Sequence, residues 1–461
     1  MGELRGSDLT AVREQLGRDP TTPFAVVARC ADGHPLVIRN EPVDADGHPF
    51  PTRFWLTCPT ATRAVSRLES EGAITALNER IERDTGFAAA VARAHEEYAH
   101  ERTAGGERAS AHGGVGGTRT GVKCLHAHYA NHLAGGDDPV GAWTAQLVEP
   151  IHEERADRFA VVDQGTNSIR LLVVEPDGEG GLRELARDMV ITRLGRGVDR
   201  TGRLAGDALE RTIGVLARYS RRARALHAGR IRVAATAAVR DASNRDEFER
   251  AVVEHTGVAP EVITGEQEAT LSFLGAARGL DATAPFLVLD IGGGSTELVV
   301  GSDRPTAATS IQMGSVRLTE RFIGHDPPDR KELDEMRAFV LERLDEAEAT
   351  VPVRAASTLV AVAGTSTTVQ AIALGLGVYD PEAIHRTRLP VAVAEGVLDD
   401  LVAMTTAERS ALPVMAPGRG DVIVAGAVIL TGVMRRFGFQ EALVSETDIL
   451  DGLAFDTLAT L

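Results

Sequence analysis

With 461 residues the chain is long enough for about three domains at roughly 150 residues each, and 43% hydrophobic with 25% charged residues excludes a disordered chain or a coiled-coil rod. Three cysteines exclude a disulfide framework, and their odd number points to a reducing compartment, the cytoplasm by default. Asp+Glu 66 against Lys+Arg 49 gives −17; this excludes nucleic-acid binding by bulk electrostatics, so an anionic ligand must be held by local amides, a few arginines and a metal ion.

The opening MGELRGSDLT has no apolar core behind a basic start, so no signal peptide is expected. Residues 1–150 stand apart by composition: they hold all three cysteines, both tryptophans and eight of the 13 histidines. The Gly-, Arg- and His-rich stretch 103–121 reads as a mobile loop, and 149–158 as a linker. From Phe159 on, strands are predicted at 159–163, 169–175, 231–235, 260–264, 286–290, 297–301, 306–312 and 358–363. Helices are predicted at 207–227, 244–255, 266–279, 330–348, 364–375, 393–403, 419–436 and 447–458. Strand pairs joined by tight Gly turns and mixed with long helices indicate α/β architecture with mixed sheets. The longest apolar run, 422–434, has 13 residues. A membrane-spanning helix needs about 20, so this one is predicted to be buried and no membrane partner is expected.

The chain repeats itself. FAVVDQGTNSIRLLV (159–173) and FLVLDIGGGSTELVV (286–300) share seven of 15 positions, 127 residues apart. Each reads as strand, D-x-G-x-x-S turn, strand, which predicts two similar lobes with a turn from each facing a cleft. Both lobes are expected to bury their cores against each other and not against residues 1–150. Gly-rich turns present successive N–H groups as a concave nest for phosphate. Gly165, Thr166, Asn167 and Ser168 form one such turn, and Gly292, Gly293, Gly294 and Ser295 the other. Asp163 and Asp290, at the strand ends, are placed to hold Mg²⁺ (or Mn²⁺) directly or through water.

A third segment, VAVAGTSTTV (360–369), runs from a buried strand through Gly364, Thr365 and Ser366 into a helix. Taken alone it reads first as plain N-capping by Thr365 or Ser366, with an anion site at a helix N-terminus as the competing reading. Glu297, inside STELVV, is a charge on an apolar strand and is costly unless a metal, water or cation meets it. Glu266 and Glu268 begin a helix, where Glu266 serves the helix dipole.

With RLGRGVDRTGRL (193–204), ATAAVRDASN (235–244), ITGEQEA (263–269), MGSVRLTE (313–320) and RGDVIVAGAVIL (419–430), these motifs resemble the Ppx/GppA phosphatases. That family comprises exopolyphosphatases and guanosine pentaphosphate phosphohydrolases. The resemblance implies a two-lobed actin-like, Hsp70-like, sugar-kinase (ribonuclease H-like) fold, with lobes at 158–281 and 282–461. It implies Glu268 as the carboxylate that activates water, with Glu297 as its catalytic partner near the metal. Asp163 and Asp290 become metal-associated, the turns grip phosphoryl groups, and Arg170 and Arg240 are phosphate partners. Gln164 departs from the apolar residue or Cys usual there, and the ending is expected to be that of the short form.

PFPTRFWLTCP (49–59) and KCLHAHYANHLAGGDDPVG (123–141) resemble an uncharacterised bacterial domain, here a separate N-terminal α+β domain spanning 1–150. Cys30, Cys58, Cys124, His126 and His128 are residue types that zinc takes. No C-x-x-C knuckle spaces them, so burial is the leading reading and zinc the lesser one.

The expected activity is release of terminal phosphate from inorganic polyphosphate, with guanosine pentaphosphate (pppGpp) as the alternative substrate. A small-molecule kinase and a non-catalytic scaffold of the same fold are the rivals from other classes. A homodimer is compatible with the sequence and not required by it.

Overall fold

The computed structural model describes residues 6–30, 33–43, 48, 50, 52–103, 113–148 and 157–461. Residues 104–112 of the loop read at 103–121, and 149–156 of the linker read at 149–158, lie outside the described residues. The chain forms two compact units. One contains residues 1–160, 172–188 and 216–231; the other contains 161–171, 189–215 and 232–461.

In the first unit, Phe24–Arg29 (β1), Pro35–Asn40 (β2) and Phe54–Leu56 (β3) make an antiparallel sheet in the order β1-β2-β3. Helices Pro59–Ser70, Ala73–Arg83, Thr85–Thr103, Leu125–Leu133 and Pro139–Leu147 complete a separate α+β domain. Pro139 occupies the first turn of its helix, and Asp138 caps it by accepting from Val140 and Gly141 N–H. The same Asp138 takes His128 Nδ1 at 2.9 Å and Asn131 Nδ2 at 3.0 Å. His128 is therefore committed to a buried structural knot.

This domain falls in one compact unit with part of the first lobe, where the sequence reading expected the lobe to pack only against its partner lobe. Asp188 accepts from Arg222 Nη1 at 3.1 Å and lies 3.9 Å from Arg39 Nη1. Arg218 Nη1 meets Glu101 at 3.3 Å. At Gly135, φ is +92 and a Cβ would stand 2.5 Å from the Arg218 carbonyl oxygen, so glycine alone permits the approach.

The remaining strands form two sheets. Phe159–Gln164 (β4), Ser168–Pro176 (β5), Leu182–Ile191 (β6), Arg230–Ala235 (β7) and Glu261–Val262 (β8) run in the order β6-β5-β4-β7-β8. Phe286–Ile291 (β9), Thr296–Gly301 (β10), Pro305–Ile311 (β11), Thr358–Val362 (β12), Thr387–Pro390 (β13) and Glu441–Val444 (β14) run in the order β11-β10-β9-β12-β14-β13. Five strands of each sheet follow one scheme, third-second-first-fourth-fifth, and β13 is an added edge. The repeat seen in β4-β5 and β9-β10 thus extends over whole lobes, and the fold is the two-lobed actin-like one. Helix Ile423–Phe437 is buried in the second lobe with Leu289, Val340 and Leu398. Among the described residues no helix is long and apolar enough to cross a membrane.

Strands β6, β13 and β14 and helix Ser315–Phe322 were not legible in the sequence. β6 reads LRELARDMVI, too charged for an apolar alternation, because its charges find partners only in the tertiary structure.

Candidate active site

The two Gly turns are built alike. Gly165 N–H donates to Ser168 O at 2.9 Å, and Gly292 N–H to Ser295 O at 3.0 Å. They also meet. A Cβ on Gly293 would stand 3.0 Å from Thr166 Cβ, and one on Gly294 2.8 Å from Thr166 Oγ1. The second turn is braced from behind: Gly293 O accepts from Val316 N–H at 2.9 Å and Arg317 N–H at 3.1 Å. Arg317 Nε donates to Gly294 O at 2.9 Å, while its Nη groups pair with Asp199 and, at 3.0 Å, with Asp241. One guanidinium thereby ties the second-lobe turn to two first-lobe acids.

The third segment sits beside them through strand register, since Val362 on β12 is the partner of Asp290 on β9. Helix Ala363–Ala373 begins at once, with Val362 as its N-cap and no side-chain capping bond. Thr365 and Ser366 are thus inside the helix and do not cap it, and the buried Ser366 Oγ has no hydrogen-bond partner among the described residues. The first-turn N–H groups lack the usual internal acceptors. Ala363 holds φ at +63, a strained value for a residue with a Cβ. Arg419 Nη1 donates to Thr368 Oγ1 at 2.7 Å and Gly364 O at 3.1 Å.

Acids gather at the same place. Asp290 and Glu297 are directly opposite on β9 and β10, and Glu297 is opposite Ser310 on β11. Period-2 geometry puts all three on one face. Ser310 Oγ donates to Glu297 at 2.7 Å, and Ser272 Oγ donates to Asp290. Asp163 takes Arg170 Nη2 at 2.7 Å, and Arg170 also pairs with Asp448. The other Asp163 oxygen, Oδ1, is buried with no hydrogen-bond partner among the described residues. Glu268 lies in the first turn of helix Gly265–Ala277, which starts from a capping box of Thr264 and Gln267. It is buried, with Arg240 Nη1 3.2 Å away.

Burial and mutual repulsion raise the pKa values of these carboxyls. Burial pushes Glu268 up to about 8, with Arg240 opposing and Asp290 and Asp163 assisting. Asp290 rises to about 6 through burial and then the Asp448 charge. Glu297 is held well above the usual carboxylate range by burial, Glu268 and Asp290. Burial raises Asp163 as well, against the pull of Arg170. Like charges directly opposite in a sheet destabilise it, and a buried cluster of this kind is characteristic of a functional site.

The sequence-predicted residues Asp163, Gly165, Thr166, Asn167, Ser168, Asp290, Gly292–Ser295 and Glu297 belong to these two adjoining turns and their strands. Register sets Gly364–Ser366 alongside. Arg170 and Arg240 contact carboxylates here. Among the described residues, two groups of three or more ligand-type side chains converge within 4.8 Å, Glu69–Cys124–His126 and His325–Asp329–Glu332. Asp163, Asp290 and Glu297 do not form such a cage. Sequence reasoning did not assign Asp448, Ser272, Ser310, Arg317 or Arg419. Arg317 and Arg419 stand inside quoted motifs, and Asp448 opens a capping box with Asp451.

Comparison with known proteins agrees with this architecture. Residues 26–146 match a family described as protein of unknown function (DUF501). Exopolyphosphatase 2 of Mycobacterium tuberculosis is 45% identical over 310 residues, 64% of this chain and 97% of that protein. The crystal structure of an exopolyphosphatase-like protein is 40% identical with a TM-score of 0.63, covering 66% of this chain and 99% of that one. An Aquifex aeolicus Ppx/GppA structure is 31% identical with a TM-score of 0.57, covering 66% and 98%. Residues 172–461 match the family model described as the Ppx/GppA phosphatase family, and the chain belongs to that family.

Proposed function

We propose that the protein is an exopolyphosphatase, a hydrolase that releases terminal phosphate from inorganic polyphosphate. The observation that carries the reading is the meeting of two pseudo-symmetric Gly turns, an uncapped helix N-terminus and a buried carboxyl cluster. Turn amides and the helix N-terminus bind and orient the terminal phosphoryl group and its neighbour. Glu268, when ionised, accepts the proton of the attacking water as its oxygen bonds to phosphorus and the anhydride P–O bond breaks. Burial, Asp290 and Asp163 keep the Glu268 pKa high, and Arg240 orients its carboxylate.

The oxygen-only donor set and Asp163 Oδ1, which has no hydrogen-bond partner among the described residues, fit a hard divalent cation. Mg²⁺ keeps several waters and takes one or two carboxylates plus substrate phosphates. Asp163, Asp290 and Glu297 would hold it, in keeping with the general divalent-metal dependence of the family. Bound there, the cation would neutralise charge on the phosphoryl oxygens. Turnover should vanish in EDTA and return with Mg²⁺ or Mn²⁺; undiminished turnover after exhaustive chelation would remove the metal from the reading. Side-by-side assay on polyphosphate and guanosine pentaphosphate tests the substrate: faster release from the nucleotide would replace polyphosphate as the assignment.

A base must be deprotonated to act, and Glu268 is pushed up to about 8. Activity is therefore expected to rise with pH through that value. A profile flat from pH 6 to 9 would count against Glu268 as the base.

A further inference from the structure

We propose that the N-terminal domain carries a zinc site made by Cys124, His126 and Glu69, with its fourth position open to solvent. The three ligand atoms lie within 4.8 Å of one another. Cys124 is the extended N-cap residue of helix Leu125–Leu133, and His126 is in that helix's first turn. Glu69 reaches them from the last turn of helix Pro59–Ser70.

The imidazole is oriented as a ligand. Its Nδ1 faces Glu69 Oε1 at 3.2 Å, while Nε2 lies 3.1 Å from the Thr62 carbonyl. A metal-bound histidine ordinarily gives its second N–H to a backbone carbonyl or carboxylate. A Cys–His–acid nucleophile would instead divide the two ring nitrogens between thiol and acid. Here the backbone carbonyl occupies Nε2.

Thiolate, imidazole and carboxylate together suit zinc rather than Mg²⁺ or Ca²⁺, and three protein ligands plus water is the open zinc arrangement. All three residues are half-buried, which leaves the fourth position accessible. Of the five Cys and His named from sequence, two join this group. His128 is bound to Asp138, Cys30 is buried in the core, and Cys58 starts helix Pro59–Ser70. The other convergent group, His325–Asp329–Glu332, is accounted for by the capping box of helix Arg330–Glu348.

The test uses the full chain. Metal analysis after purification without chelator should find about one zinc per chain, on the stoichiometry proposed. Cobalt exchanged into the site should give a thiolate-to-cobalt charge-transfer band and the visible bands of a tetrahedral ion. Cys124→Ser should abolish the charge-transfer band, and Glu69→Gln should weaken zinc at least 10-fold in competition with a chromophoric chelator, by analogy with the loss of a metal-site partner. Cys58→Ser should keep both signals. Circular dichroism of each variant separates loss of metal from loss of fold, and the wild-type cobalt spectrum needs no variant. Failure of the wild-type chain to retain or take up zinc, or a charge-transfer band that survives Cys124→Ser, would overturn the site. Polyphosphate turnover does not enter the readout.

Discussion

Glu268→Gln is expected to lower phosphate release by about 10²–10⁴-fold, the usual worth of a general base, while KM for polyphosphate changes little. The carboxamide keeps the side chain's shape and can still accept from Arg240, but it cannot take a proton from water. The variant should fold at least as well as the parent. It removes one acid from a buried group in which Asp290 and Asp163 raise Glu268, and Glu268 and Asp290 raise Glu297, so its Tm should be equal or higher. That combination, activity lost with stability kept, separates chemistry from misfolding. Glu266→Gln, exposed in the same first turn, is the control and should turn over normally. A Glu268→Gln enzyme with half the wild-type kcat would reduce Glu268 to a helix-start residue.

Asp188→Ala is expected to destabilise the protein by about 3–5 kcal/mol, the cost of leaving a buried charge without its partner. Asp188 and Arg222 are almost completely buried, at 3% and 1% side-chain exposure, and Arg39 is the second cation beside the carboxylate. Burial alone would raise the Asp188 pKa. Nearby cations, among them Arg39, Arg222 and Arg218, override it and hold the carboxyl well below the usual range. A depressed carboxyl contributes stability above its unfolded pKa, about 4, and that contribution is lost as pH falls toward the folded value. Wild-type protein should therefore lose stability relative to Asp188→Ala below about pH 4. Asp207→Ala breaks only an exposed pair with Arg211 one helical turn away and should change stability by less than about 1 kcal/mol. Urea titrations of the three proteins would decide it. Equal midpoints for Asp188→Ala and Asp207→Ala would show that the buried cluster is not what joins the N-terminal domain to this part of the first lobe.

The amino-acid sequence by itself determined the two strand-turn-strand copies, the glycines in their turns, and the acids at the ends of β4 and β9. These are local facts. Period-2 apolar runs mark buried strands, and a turn that closes from Gly165 to Ser168, or Gly292 to Ser295, needs its residues within four positions. The buried helix near 423–437 was legible for the same reason, an apolar run too short for a membrane. What only the tertiary structure decided are pairings between residues far apart in the chain. Arg170 meets Asp448 across 278 positions, so Asp448 looked like no more than a residue of the helix predicted at 447–458. Glu297 finds Ser310 through the register of β10 with β11. β6 is a strand although it carries Arg183, Glu184, Arg187 and Asp188, because a buried charge is tolerable once opposite charges reach it, and for Asp188 those charges come from β2 and from the helix Gly206–Ala225. Glu69 joins Cys124 and His126 from a different helix, and no spacing rule connects residues 69 and 124. Periodicity and turn chemistry are read along the chain, whereas ion pairs and ligand sets are set by distances in space that the chain's order does not contain.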